Sequence, residues 1–212
     1  MNLITEPYPA QKERWPQAGR HILAQYDAEK IVVYQAYCPK TGRYAAEHGA
    51  FGGSGFSLTR MSWIKPNFLW MMYRCGWATK ENQETVLAVS LRRDAFDAIL
   101  AEAVPSTYIP ALYGSEAEWK GALERSDVRS QWDPDHDPSG AKIERRAIQL
   151  GLRGDFLARY AREWIVGIED ITAFVTDQRR HVQSGDLGQL VMPREEVYSV
   201  DGPLAARIGL TP

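Results

Sequence analysis

Arg60, Lys65 and Arg74 lie in a stretch, residues 60–77, that also holds Trp63, Trp70, Tyr73 and Trp77 and contains no carboxylate. Cations beside large rings suit an anionic, planar ligand, because the rings stack on its flat part while the cations pair with its charge. The same composition also describes a buried helix with a few surface arginines. Lys65 precedes Pro66 and is therefore extended. Lys65 and Arg60 lead into a helix with Pro66 as its first residue, running to about Arg74, whose opening amides and dipole favour an anion. The expected anion or phosphate site is this entrance, residues 60–67, with Arg60, Trp63, Lys65, Tyr73 and Arg74 as ligand-binding residues.

Two further clusters carry polar chemistry. Gln35 shares a strand face with Tyr37 and is expected to be a catalytic group lining a pocket, the alternative being a hydrogen-bonded amide at a sheet edge. Asp133 is expected as a catalytic base, with Glu163 as another acid available for that role. Gln131, Arg145 and Gln149 are expected to bind ligand if segments 128–132 and 145–152 form a hairpin. Arg145 and Gln149 then share a face and Arg146 is opposite, although arginines also keep an exposed edge strand soluble. Gln131 to Asp137 mimics a calcium loop, with Glu144 at its last position, but Pro138 stands where that loop needs glycine. His21, His48, His136 and His181 are scattered and no metal site is expected. The phosphate-loop, dinucleotide and nucleophile-elbow motifs are absent, so Phe51 to Phe56 reads as a flexible connection.

The elements that must position these groups alternate in type. Ile31 to Tyr37, Thr85 to Leu91, Val128 to Trp132, Arg145 to Leu152 and Ile165 to Ile171 read as strands. Helices are expected at His21 to Ala28, Thr41 to His48, Pro66 to Arg74, Ala95 to Ala103 and Asp155 to about Trp164. Another follows Ser115, whose capping box is completed by Glu118. The 66–74 helix is apolar on nearly every side and is expected to be central. The result is an α+β (mixed α/β) single domain over residues 20–177, a small sheet of about five strands around that helix. Residues 1–19 are expected to form an irregular arm, and 178–212 an extended or partly disordered tail.

The chain has 212 residues, 44% hydrophobic and 25% charged, with a net charge of −2. That size is sufficient for a real core, and that balance supplies no global field toward nucleic acid or membrane. Cys38 and Cys75 are too few for a disulfide framework and read as reduced, packed thiols. No apolar run approaches a membrane span, and the start lacks a signal peptide, so a cytoplasmic protein is expected.

Val33 to Tyr37, Met61 to Ala78, Gln131 to Pro134 and Ile148 to Leu152 together resemble a widespread family of bacterial and fungal domains of unknown function. The resemblance covers roughly residues 20–175 and rests most on the run Trp63 to Ala78. It implies membership and no activity; the basic residue that often precedes the Val33 to Tyr37 motif is replaced here by Ile31 and Val32. A small split sheet with a central helix is also loosely similar to ADP-ribosyltransferases, without their glutamate and histidine motifs. The leading expectation is a transferase using a nucleotide or NAD and acting on a phosphorylated or nucleotide-like small molecule or on nucleic acid. A single-stranded nucleic-acid-binding module and a non-catalytic interaction protein are the alternatives.

Overall fold

Two strands, Lys30–Tyr37 and Thr85–Arg92, are apolar on both faces, and the fold is layered on them. With Ile165–Asp170 they form an antiparallel three-stranded sheet in which Thr85–Arg92 is central. Val32, Tyr34, Val86 and Ala88 face one hydrophobic cluster. Ile31, Val33, Leu87, Val89 and Leu91 face another, which includes Phe96, Ile99 and Leu100 of the helix Arg93–Glu102. Burial on both faces explains why these strands read as continuous apolar runs. The computed structural model describes residues 3–211.

The second sheet is built on Lys142–Leu152. Its antiparallel partner Val128–His136 continues beyond the expected end at Trp132, so the reversal falls at Asp137–Ala141. There one Asp137 carboxylate oxygen accepts from the amides of Ser139 and Ala141, each at 2.9 Å. Val104–Pro105 adds to the outer edge of Val128–His136. On its other side Lys142–Leu152 pairs with Gly19–Arg20 and, further along, with Ser62–Ile64. The two sheets meet at Lys65, whose amide and carbonyl pair with Tyr34 at 3.2 and 2.7 Å. The protein is therefore a single α+β domain, with its strands distributed over two principal sheets and two small ribbons.

The expected central helix is Phe68–Cys75, and six of its eight residues are buried. It opens two residues later than expected because Asn67 caps it, accepting from the Trp70 amide at 2.7 Å. Gly76 ends it in the left-handed conformation at φ 58°, which glycine adopts without steric cost. Trp77 and Ala78 continue at φ 53° and 65°, an unusual conformation for residues with a Cβ.

The chain ends depart most from the sequence expectations. Residues 8–14 form a helix, and Thr5–Pro7 pairs with Val191–Pro193. Leu23–Ala24 is a strand and not part of a helix; it pairs with Glu196–Val197. The helix Thr172–Ser184 runs on into the expected tail, Gly202–Ile208 is a helix within it, and Leu190, Met192, Tyr198 and Ile208 enter the core. Met1, Asn2 and Pro212, the outermost residues of the expected arm and tail, lie outside the described residues.

Glu195 is fully buried and serves as a second cap on the central helix. Its carboxylate accepts from the Phe68 amide at 2.6 Å and from the Asn67 side chain at 3.2 Å. Removing it strands two buried donors, a loss of about 2–4 kcal/mol. Urea denaturation of Glu195→Ala should show that loss, whereas the exposed neighbour Glu196→Ala should stay within about 0.5 kcal/mol of the parent.

Candidate functional site

Lys65 is the group from which a site can be built. Its backbone is committed to Tyr34, so its side chain leaves from the seam between the sheets, and the residue is only 6% exposed. The ammonium donates to the Trp63 carbonyl over 3.5 Å, at the long limit of a hydrogen bond. No ion pair reaches it among the described residues. Burial, reinforced by the Arg74 charge, pushes the Lys65 pKa down from its ordinary 10.5 to about 8, and Asp133 opposes that shift.

Around this amine lies a cavity of about 350 Å³ lined by Trp63, Lys65, Trp70, Arg74, Gln131, Asp133 and Gln149. Four elements converge on it. Trp63 comes from Ser62–Ile64, and Trp70 and Arg74 come from the central helix, four residues apart and so on one face. The Arg74 guanidinium stands over the Trp70 ring at 5.9 Å. Gln131 and Gln149 are direct cross-strand partners, which places both amides and Asp133 on one face of the hairpin. Gln131 donates to one Asp133 oxygen and Gln149 to the other, each at 2.8 Å. Trp63 lies opposite Gly151 on the same face, and a Cβ there would stand 3.0 Å from its ring and 2.7 Å from the Met61 sulfur. Gly151 is thus the residue that lets the indole lie across the sheet.

Of the sequence candidates, Trp63, Lys65, Arg74, Gln131, Asp133 and Gln149 share this one cavity. The others do not join them. Gln35 is 3% exposed and its amide is consumed internally. It accepts from Tyr160 at 2.6 Å and donates to Tyr37 and Ser62 at 2.8 Å and to the Trp63 carbonyl at 3.2 Å. Its place is therefore beneath the strand that carries Trp63, not in the catalytic position expected for it. A π-helical turn, Tyr160–Trp164, interrupts the helix expected there and contains that tyrosine. Glu163, the other acid considered as a base, pairs with Arg159 at 3.5 Å.

Arg60 is exposed and lines a separate cavity of about 430 Å³ with Cys38 and Ser62. Arg145 is buried in an ion pair with Asp135 at 2.6 Å, donates to the Pro16 carbonyl at 2.8 Å and covers the Trp15 ring. It ties the N-terminal segment to the sheet and is not available to a ligand at Lys65. Tyr73 faces a third cavity beside Trp77, while its ring stacks on His136 at 3.5 Å and on Trp70 at 5.5 Å. The opening amides expected to favour an anion at the helix entrance are not free, since Glu195 and Asn67 occupy the Phe68 and Trp70 amides. Arg74, further along the helix, is the helix cation that lines the Lys65 cavity.

Trp70 also walls this cavity, a place that the sequence does not single out for it. The signal was its spacing of four from Arg74, whereas its burial in an apolar helix concealed it. The residue is 4% exposed, and its indole N–H has no protein acceptor among the described residues. Among those residues no group of three or more His, Cys, Asp or Glu side chains could hold a metal ion. No helix among them is long and apolar enough to cross a membrane.

An α+β domain with a buried lysine and a clamped aspartate on a two-sheet seam describes the class of architecture. The chain belongs to the DUF4291 family, a domain of unknown function, whose model matches residues 21–198. That span includes every residue of the Lys65 cavity and also Glu195. No curated protein matches the chain in sequence.

A lysine with a folded pKa of about 8 binds fewer protons than its unfolded counterpart between pH 8 and 10.5. Stability attributable to this group therefore rises with pH across that window, and the penalty is complete below it. Lys65→Met should accordingly stabilise the protein at pH 7 by up to roughly 3 kcal/mol. The gain should decline to nothing near pH 10.5. Melting curves of both proteins from pH 7 to 10.5 check this; a gain constant with pH would assign it to packing.

Proposed function

We propose that the Lys65 cavity binds a nucleotide, NAD included among the candidates, and that the protein is a nucleotide-using transferase. The observation that carries this reading is the meeting of two cations, two indoles and a clamped carboxylate in one open cavity. Arg74 and Lys65 supply charge for a phosphate, and Arg74 offers a fork of donors on the solvent side. Trp63 and Trp70 supply flat surface for a base. Gln131 and Gln149 each spend one N–H on Asp133 and keep a second N–H and a carbonyl oxygen for reading polar edges. Asp133 accepts one amide on each oxygen, and each keeps lone-pair capacity to accept a proton from an attacking group. A purely structural role for residues 60–77 accounts less well for a buried ammonium that forms no ion pair among the described residues.

Nucleotides and NAD present at about 100 times their Kd should stabilise the protein by about 2.7 kcal/mol, a melting shift of several degrees. Arg74→Ala should weaken that binding about ten- to a hundredfold, since a hydrogen bond to a charged group contributes about 1.5–3 kcal/mol. Arg60→Ala, in the separate cavity, should leave the shift intact. Equal loss in both variants, or no shift with any nucleotide, removes the reading.

A further inference from the structure

We infer that Lys65 is a catalytic nucleophile, which takes a nucleotidyl group from a nucleoside triphosphate onto its Nζ before that group is passed to an acceptor. This rests on the nucleotide reading above and adds to it the identity of the reacting atom. The geometry sets Lys65 apart from Arg145, the other buried cation among the described residues. Arg145 is spent in an ion pair with Asp135 at 2.6 Å, whereas no carboxylate pairs with Lys65 among the described residues. Lys65 is the buried amine that lines a cavity open to solvent, and its hydrogen bond is a long one to a carbonyl.

An ammonium kept only for phosphate attraction gains nothing from such burial, because desolvation weakens its charged form. A nucleophile does gain, because attack requires the neutral amine. With its pKa at about 8, about a tenth of Lys65 is neutral at pH 7, against about one part in several thousand for an exposed lysine. Arg74 works in the same direction. It favours the neutral amine electrostatically and would hold the phosphate charge that an uncharged Lys65 cannot.

The step balances without a further reactant. The Nζ lone pair attacks the α-phosphorus, forming a P–N bond. The bond from that phosphorus to the bridging oxygen breaks, and pyrophosphate leaves with its electron pair. The additional proton on nitrogen passes to the Asp133 carboxylate and on to solvent. Attack by an acceptor hydroxyl oxygen on the phosphoramidate then breaks the P–N bond, and the hydroxyl proton passes by way of Asp133 to the departing nitrogen, which returns as the amine. Neither oxidation nor reduction is involved.

The test uses the full chain with ATP, GTP, CTP and UTP in turn, each labelled at the α-phosphorus, in the presence of magnesium. Intact-mass measurement should show one added nucleotidyl group, and peptide mapping should place it on Lys65. Pyrophosphate should discharge it. Lys65→Arg, which keeps the charge, and Lys65→Met, which removes it, should both lose the label to background while melting cooperatively. Label formation should rise about tenfold per pH unit below about 8 and level off above it. The α,β-methylene triphosphates separate this inference from the binding reading, since their bridge cannot be cleaved. Stabilisation by these analogues, with no adduct from any labelled triphosphate, overturns the covalent step and leaves nucleotide binding standing. Neither stabilisation nor adduct overturns both, and label on a residue other than Lys65 overturns the assignment to this amine.

Discussion

The backbone pairing of Lys65 with Tyr34 is the constraint on which the rest of the site depends. Ser62–Ile64 belongs to the edge of one sheet, and one residue later the chain bonds to a strand of the other. A residue at such a seam has its main chain fixed on both sides, and its side chain leaves into the space between layers. At Lys65 that space is walled by the central helix and the Val128–His136 hairpin strand, so a long amine ends up desolvated. An apolar residue would suit the packing better. The fold thus tolerates at Lys65 a group that opposes its stability.

The polar groups around this seam fall into two layers with different roles. Gln35, Tyr37, Ser62 and Tyr160 form a closed network in which the amide of Gln35 and the hydroxyls all have partners. Burial pushes the Tyr37 hydroxyl up to about 12, which keeps it a neutral partner in that network. This layer supports the strand bearing Trp63. The second layer, Asp133 with Gln131 and Gln149, faces the cavity and keeps free donors and acceptors. A satisfied network beneath a partly unsatisfied one holds the cavity's polar groups in place without consuming their free donors and acceptors.

The central helix is held from far away in sequence. Glu195 closes its amino end, and the Glu195 backbone is itself fixed by Gln11 and Trp15. The two chain ends thus lock the helix that presents Trp70 and Arg74. Burial pushes the Glu195 pKa well up, which the Phe68 amide opposes by bonding the ionised form.

Much of the framework was legible in the chain itself. The five principal strands, the apolar helix closed by Gly76 and the Ser115 cap follow from local periodicity and end chemistry, which neighbouring residues encode. Alternation puts Gln131 and Asp133 on one face of their strand, but the pairing of Gln131 with Gln149 follows from the reversal at Asp137–Ala141, beyond the expected strand end at Trp132. Local pattern could not show that Leu23–Ala24 and Val191–Pro193 are strands, because each is short and its partner lies far away along the chain. Nor could it sort the cations. Arg60, Lys65, Arg74 and Arg145 look alike in sequence, yet one is exposed at another cavity, one is consumed by Asp135, and two share the cavity with Asp133. Residue types and spacings determined which chemistry this protein could carry. Only the tertiary structure decided which charges remain unpaired, because pairing and desolvation depend on distances between segments that no local sequence rule constrains.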